Sequence, residues 1–190
     1  MPETDRAIYL TFDDGPHPSI TPFVLDELYK YNAKATFFCI GRNVKNNPTI
    51  YDRILTEGHA VGNHTFNHLD GWKTSNAKYQ ADVLRAKEII DSNLFRPPYG
   101  RITIKQRKGL AVPGKPLKII MWSVLSGDFD ERVTPAQCCA NVIKNSGNGA
   151  VIVFHDSEKA LPRLSHSLPI VLQHFSDKGY SFKKIDMGNG

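Results

Sequence analysis

Five apolar runs in this chain each end in a short polar cluster, and that pattern constrains the fold more than any composition figure. Ala7-Ile8-Tyr9-Leu10 leads into Thr11-Phe12-Asp13-Asp14-Gly15-Pro16. A short strand over 59–63 runs into His64-Thr65-Phe66-Asn67-His68. Leu94-Phe95 precedes Arg96-Pro97-Pro98-Tyr99-Gly100. The run 117–121 precedes Trp122-Ser123-Val124-Leu125-Ser126-Gly127-Asp128-Phe129-Asp130, and Val151-Ile152-Val153-Phe154 delivers His155-Asp156. Short, continuously apolar runs read as buried strands. Each cluster taken alone reads as a turn or cap; five at successive strand ends point to a shared site.

Between these strands the sequence alternates with helical patterns. Helices are expected over 22–31, 49–57, 76–92 and 168–178, with another opened by Thr134-Pro135. Thr21 reads as the N-cap of the first, with Pro22 at its first position. Further strands are expected over 35–40 and 180–185. The segment 101–115 is the least regular, partly helical and then loop. Strands alternating with helices in one domain, taken as residues 1–190, imply a parallel sheet, open or closed. Chemistry gathered at strand C-terminal ends suits a barrel with its site on that rim.

The clusters carry specific chemistry. On a continuing strand Asp13 and Asp14 would point to opposite faces. At a strand end before a Gly-Pro turn both can converge on one cavity. Two close carboxylates repel unless a cation lies between them or one is protonated. That suggests a metal site in which one Asp binds the ion and the other does acid–base work. His64 and His68, at i and i+4, would share a face on a helical turn. Catalytic zinc takes three protein ligands and an open position, and Asp14, His64 and His68 make such a set. Thr65 stands where a zinc-protease motif needs Glu, so the base must come from elsewhere, and Asp13 is the obvious donor.

Together these residues resemble the polysaccharide deacetylase family, which includes chitin, chitooligosaccharide and peptidoglycan N-deacetylases. The resemblance runs from about Ile8 to Phe182 and rests on Thr-Phe-Asp-Asp-Gly-Pro, His-Thr-x-x-His and Arg-Pro-Pro-Tyr-Gly in that order. It implies a distorted (β/α) barrel, often seven-stranded, with its active site at the C-terminal rim. It further implies that Asp13 acts as base while Asp14, His64 and His68 hold one divalent ion. Zinc is expected, and cobalt, nickel, iron or manganese also suit these ligands. Arg96 would hold the base, Asp128 would support a catalytic His155, and Tyr99 would offer a backbone N–H to the developing oxyanion. Asp156 is a candidate to orient His155 or, equally, to serve a strand-end turn. Phe129 and Val153 would line an acetyl pocket, and Trp72, Tyr99 and Trp122 are candidates for sugar contact. Two positions depart from the family pattern. The fourth motif usually reads Asp-x-x-Asp-Trp, where this chain has Leu125 and Phe129, and Val153 stands for the usual Leu. The chemistry-bearing residues remain, so the departures bear on substrate choice. The alternatives are an O-acetyl esterase of the xylan type and a carbohydrate-binding protein with a decayed site.

Composition bounds the rest. At 190 residues, 41% hydrophobic and 23% charged, the chain can bury a substantial core. A net charge of +5 without a dense Lys/Arg block gives no nucleic-acid signature. Three cysteines form no disulfide framework; Cys39 reads as a core residue, and Cys138 and Cys139 lack zinc-binding spacing. Unpaired thiols and the lack of a signal peptide or membrane-length apolar run suit a cytoplasmic chain, or a periplasmic or secreted one whose targeting segment has been trimmed. An acetylated glycan is the expected partner, and a monomer the expected state.

Overall fold

The structure, a computed structural model, describes residues 6–110 and 116–186. Among the described residues, eight strands and seven α-helices follow in chain order. They are β1 (Ala7–Asp13), α1 (Ile20–Lys30), β2 (Thr36–Cys39), α2 (Gly41–Asn46), α3 (Pro48–Thr56), β3 (Ala60–Asn63), α4 (Asn76–Lys87), β4 (Leu94–Phe95), α5 (Ile104–Gly109), β5 (Lys118–Ile119), β6 (Val124–Leu125), α6 (Pro135–Asn145), β7 (Val151–His155), α7 (Leu161–Asp177) and β8 (Ser181–Phe182). The main sheet path is β5-β4-β3-β2-β1-β7-β6, with β8 pairing off this path to the start of β1. Every pairing is parallel. The seven-stranded path curls into a half-barrel flanked by helices, the distorted (β/α) barrel expected from the resemblance.

Strand alternation sorts side chains into two sets. Leu10, Phe12, Phe37, Ile152 and Phe154 face outward into the core beneath α1, α6 and α7. Phe12 stacks on Phe37 at 5.1 Å and on Phe154 at 6.1 Å, since register makes the three direct neighbours. The other set, Thr11, Asp13, Thr36, Phe38, Val153 and His155, faces into the half-barrel. Arg96 joins this inner set because it lies two residues past the inward-facing Leu94. Phe95 between them faces outward and packs with Tyr79, Val83 and Leu110.

Several boundaries differ from the sequence reading. The first helix starts at Ile20 with Ser19 as its N-cap, and Thr21 spends its hydroxyl on Asp156 instead of capping. The helix α2 was not anticipated, because its six residues are too few for a periodic signal. The helix α4 stops at Lys87 rather than reaching 92. The helix α7 begins seven residues earlier than expected and carries Pro169 inside it. A proline argues against helix in a sequence, yet the buried face from Leu164 to Phe175 supplies the compensating contacts. In the irregular segment α5 forms behind a capping box of Thr103 and Gln106, while 111–115 lie outside the described residues. Cys39 is fully buried as expected, and Cys138 and Cys139 are buried on α6. No helix among the described residues is long and apolar enough to cross a membrane.

The inner layer has no room to spare at β3. A Cβ on Gly62 would lie 2.5 Å from the ring of buried Phe38, the ring over which the Arg96 guanidinium sits at 4.1 Å. Gly62→Ala should therefore cost about 1–3 kcal/mol of stability through overpacking. Urea denaturation checks this; a midpoint equal to that of the unsubstituted protein would refute it.

Candidate active site

The inner-facing residues at the C-terminal ends of the strands meet around one cavity of about 430 Å³. Asp13, Asp14, His64, His68, Tyr99, Phe129, Val153 and His155 all line it. Strand alternation brings Asp13, Val153 and His155 there directly. Asp14 would face away on a continuing strand, but its φ of +83° breaks the alternation and turns its carboxylate inward. The Asn43 side-chain amide donates to the Asp14 carbonyl at 2.7 Å and Ile40 N–H to the Gly15 carbonyl at 2.9 Å, which holds this loop.

His64 and His68 come together by a different route from the helical turn expected. The segment after β3 is irregular, with Thr65 at φ +63° and His68 at φ +57°. The two rings nevertheless lie 5.1 Å apart. Asp82, on α4, fixes the loop between them by accepting the N–H groups of Phe66 and Asn67, each at 2.9 Å, and the Asn67 side-chain amide. Asn63 adds a bond from the Thr65 N–H to its side-chain oxygen at 2.8 Å. Sequence reasoning missed Asp82, because nothing in a helical Asp signals that its partners are the backbone of a distant loop.

Asp14, His64 and His68 present donor atoms that all lie within 4.8 Å of one another. Asp14 Oδ1 is 3.1 Å from His68 Nε2 and 3.7 Å from His64 Nε2, and it is buried without a hydrogen-bond partner. The Nδ1 of His64 lies 2.7 Å from the Arg96 carbonyl oxygen. Donation there commits the ring proton to Nδ1 and leaves the Nε2 lone pair for the site. Burial, the dominant influence, lowers the His64 pKa to about 4, so the ring is neutral and able to ligate at neutral pH. Burial alone would raise the Asp14 pKa, but the His68 imidazole beside it and the positive charge of nearby His155 hold it well below the usual carboxylate range. One ionised carboxylate, two imidazoles and an orphaned buried oxygen fit a divalent cation.

Asp13 is held apart from this set. Its Oδ1 accepts from Arg96 at 2.7 Å, within a guanidinium that is fully buried. Arg96 also donates to the Thr11 hydroxyl at 2.7 Å, the Ile120 carbonyl at 3.1 Å and the Met121 carbonyl at 3.3 Å. Across the cavity His155 Nδ1 lies 2.8 Å from Asp128 Oδ1, and the His155 N–H donates to Asp128 Oδ2 at 2.7 Å. Its Nε2 is therefore left for the cavity. Asp156 does not orient His155. It is buried and accepts from Gly15 N–H at 2.9 Å and from the Thr21 hydroxyl, bracing the loop that carries Asp14.

The apolar side of the cavity is built from Phe129, Val153 and Leu125, with the Phe129 ring edge-on to His155 at 5.3 Å. Tyr99 also lines the cavity, with its ring 4.8 Å from that of His68. Trp122 lines the cavity, whereas Trp72 lies outside its lining. Lys159 also lines it and was not anticipated, being one exposed lysine among many in the sequence.

A family model for polysaccharide deacetylases matches residues 1–112. A peptidoglycan-N-acetylglucosamine deacetylase of Bacillus cereus is 35% identical over 191 residues, covering 97% of this chain and 89% of the relative. A peptidoglycan-N-acetylglucosamine deacetylase of Listeria monocytogenes is also 35% identical across 97% of this chain, which spans only 39% of that longer protein. A family 4 carbohydrate esterase from Streptomyces lividans, solved in complex with acetate, superposes with a TM-score of 0.83 at 26% identity, over 98% of this chain and 96% of that one.

The His155–Asp128 pair sets a pH signature. Burial opposes the charged ring, but the charge and hydrogen bond of Asp128, aided by Asp13 and Asp14, raise the His155 pKa from 6.5 to about 9. The pair's contribution to stability is complete below 6.5 and fades as pH rises through about 9. In the ion-free protein, Asp128→Asn should lower the His155 pKa by about one pH unit or more, read from the imidazole proton resonances. An unchanged titration would mean that Asp128 holds the ring without charging it.

Proposed function

Since the chain belongs to the polysaccharide deacetylase family, we propose that it removes N-acetyl groups from N-acetylglucosamine units of a chitin-type or peptidoglycan glycan, with Asp14, His64 and His68 holding a divalent ion, zinc first among the candidates. The observation that carries this reading is the division of the two adjacent carboxylates. Asp14 faces two imidazoles, while Asp13 is clamped by a buried guanidinium on the same cavity. A bound ion would supply Lewis acidity toward the acetamide oxygen and acidify water.

The chain's own residues divide the remaining work. Asp13 takes the proton of the water that attacks the acetamide carbon, and the Arg96 bond fixes the carboxylate for that task. His155, charged and oriented by Asp128, delivers a proton to the amine nitrogen as the carbon–nitrogen bond breaks. Acetate and a glucosamine unit leave. Phe129, Val153 and Leu125 form an apolar wall suited to the acetyl methyl, and Tyr99 flanks the sugar. Leu125 and Phe129 thus keep that side of the cavity apolar despite departing from the family pattern. A decayed site would be expected to lose its buried polar partners first, and here Asp13, His64 and His155 keep theirs.

Elemental analysis should find about one divalent metal per chain, and acetate should be released from chitooligosaccharides or peptidoglycan fragments faster than from acetylxylan. No acetate from any glycan with any of several metals would overturn the proposal. Asp13→Asn should reduce turnover by a hundredfold or more, on the order expected for loss of a general base, while most of the metal stays bound. Asp14→Asn should instead weaken metal binding. Equal metal loss in both variants would contradict the division of roles.

His155→Ala should lower kcat by roughly a hundredfold with little change in KM, because proton delivery belongs to the transition state. The loss should be larger for an acetamide than for an activated aryl acetate, whose phenolate leaves unprotonated. Equal losses on both substrates would assign His155 to oxyanion stabilisation or packing.

A further inference from the structure

Trp72 is the largest side chain in the protein that is mostly exposed, at 67%. An indole left in water forgoes the gain of burial, so what holds it there is informative. Its short 3-10 turn, Gly71–Lys73, is pinned from both ends. Asp70 accepts the Trp72 N–H at 2.9 Å and pairs with Arg101 at 2.7 Å. The fully buried Gln106 side chain donates to the Gly71 carbonyl at 2.7 Å and the Thr74 carbonyl at 3.1 Å. Gly71 admits no side chain, since a Cβ there would meet the Arg101 carbonyl at 2.3 Å. A buried amide and an ion pair are thus committed to a turn that presents a rigid exposed indole.

That indole is linked to the cavity through Arg101 and Tyr99. The Arg101 guanidinium lies 5.0 Å over the Trp72 ring and 5.8 Å from the Tyr99 ring. Tyr99, itself 60% exposed, contacts His68 and lines the cavity. A surface of alternating aromatic and guanidinium faces therefore runs from the Asp14–His64–His68 cluster outward to Trp72. Flat apolar faces flanked by fixed hydrogen-bonding groups suit a pyranose ring, which offers axial C–H bonds on one face and hydroxyls at its edge. Rigidity lowers the entropic cost of binding there.

We infer that Trp72, backed by Arg101 and Asp70, is a stacking site for a further sugar unit of the same glycan chain whose acetamide enters the cavity. This rests on the deacetylase reading above and deepens it: the enzyme prefers longer chains and acts on an internal or chain-extended unit. The site is one sugar-binding step removed from the chemistry, so it acts through substrate affinity.

Kinetics on N-acetylglucosamine oligomers from dimer to hexamer test the inference. Trp72→Ala should lower the hexamer-to-dimer ratio of kcat/KM by about tenfold, carried by KM, as expected for loss of one stacked ring. Trp72→Phe should restore most of that ratio. A ratio unchanged by Trp72→Ala, or one that falls through kcat, would overturn the site. Binding gives a second readout that needs no turnover. The chain has two tryptophans, so in a Trp122→Phe background the hexamer should shift the emission of Trp72 alone. Absence of that shift would also overturn the inference. Failure of the unsubstituted enzyme to release acetate would defeat the deacetylase reading instead, and an emission shift would still locate glycan at Trp72.

Discussion

The buried guanidinium of Arg96 organises the interior of this half-barrel. The strands β5 and β6 are neighbours in sequence but do not pair, and Arg96 bonds to the carbonyls of Ile120 and Met121 that lie between them. The same group donates to Thr11 and Asp13 on β1 and rests over the Phe38 ring of β2. One cation therefore ties β4, β1 and the unpaired segment after β5 across the barrel interior. A buried charge is tolerated only when paired and fully hydrogen-bonded, and breaking such a pair costs about 3–5 kcal/mol. Asp13 is its carboxylate partner. The barrel interior and the proposed base thus share one interaction.

Around that core the site is assembled from loops in unfavourable backbone conformations. Asp14, Thr65, His68 and Tyr99 all have positive φ, and all lie in the segments that carry the cavity. Each such residue costs on the order of 1–3 kcal/mol and persists only where its surroundings over-determine it. The determinants are visible. Asn43 and Asp156 hold the Asp14 loop, and Asp82 and Asn63 hold the histidine loop. Gly15 completes the first brace, since a Cβ there would lie 2.0 Å from the Asp156 carboxylate. Polar residues outside the chemistry thus convert local strain into a fixed arrangement of donor atoms.

Charge is distributed across the cavity with the same economy. Burial keeps His64 neutral, while Asp128 keeps His155 protonated at neutral pH. Two imidazoles in one cavity are driven in opposite directions by the presence or absence of a carboxylate on Nδ1. His64 turns its Nδ1 to a backbone carbonyl and His155 turns its own to an aspartate. That difference would separate the proposed ligand from the proposed acid.

The sequence by itself determined the alternation of strands and helices and a parallel sheet, open or closed; the family resemblance narrowed the sheet to a barrel and assigned the roles expected of the clustered polar residues. Strand runs are legible because burial on both faces demands continuous apolar stretches. The placement of Asp13, Val153 and His155 on one face follows from a period of two. The convergence of His64 and His68 was foreseen for the wrong reason, because i, i+4 spacing implies a helix where the chain forms a strained loop. The start of α7, the stop of α4 and the presence of α2 were illegible, since packing against the sheet overrides proline and propensity there. Only the tertiary structure decided that Asp156 braces a loop instead of a histidine, that Asp82 and Gln106 hold distant turns, and that Trp72 stands exposed beside the cavity while Trp122 lines it. These are contacts between residues far apart in the chain, and local sequence carries no record of which distant backbone group a buried polar side chain will satisfy.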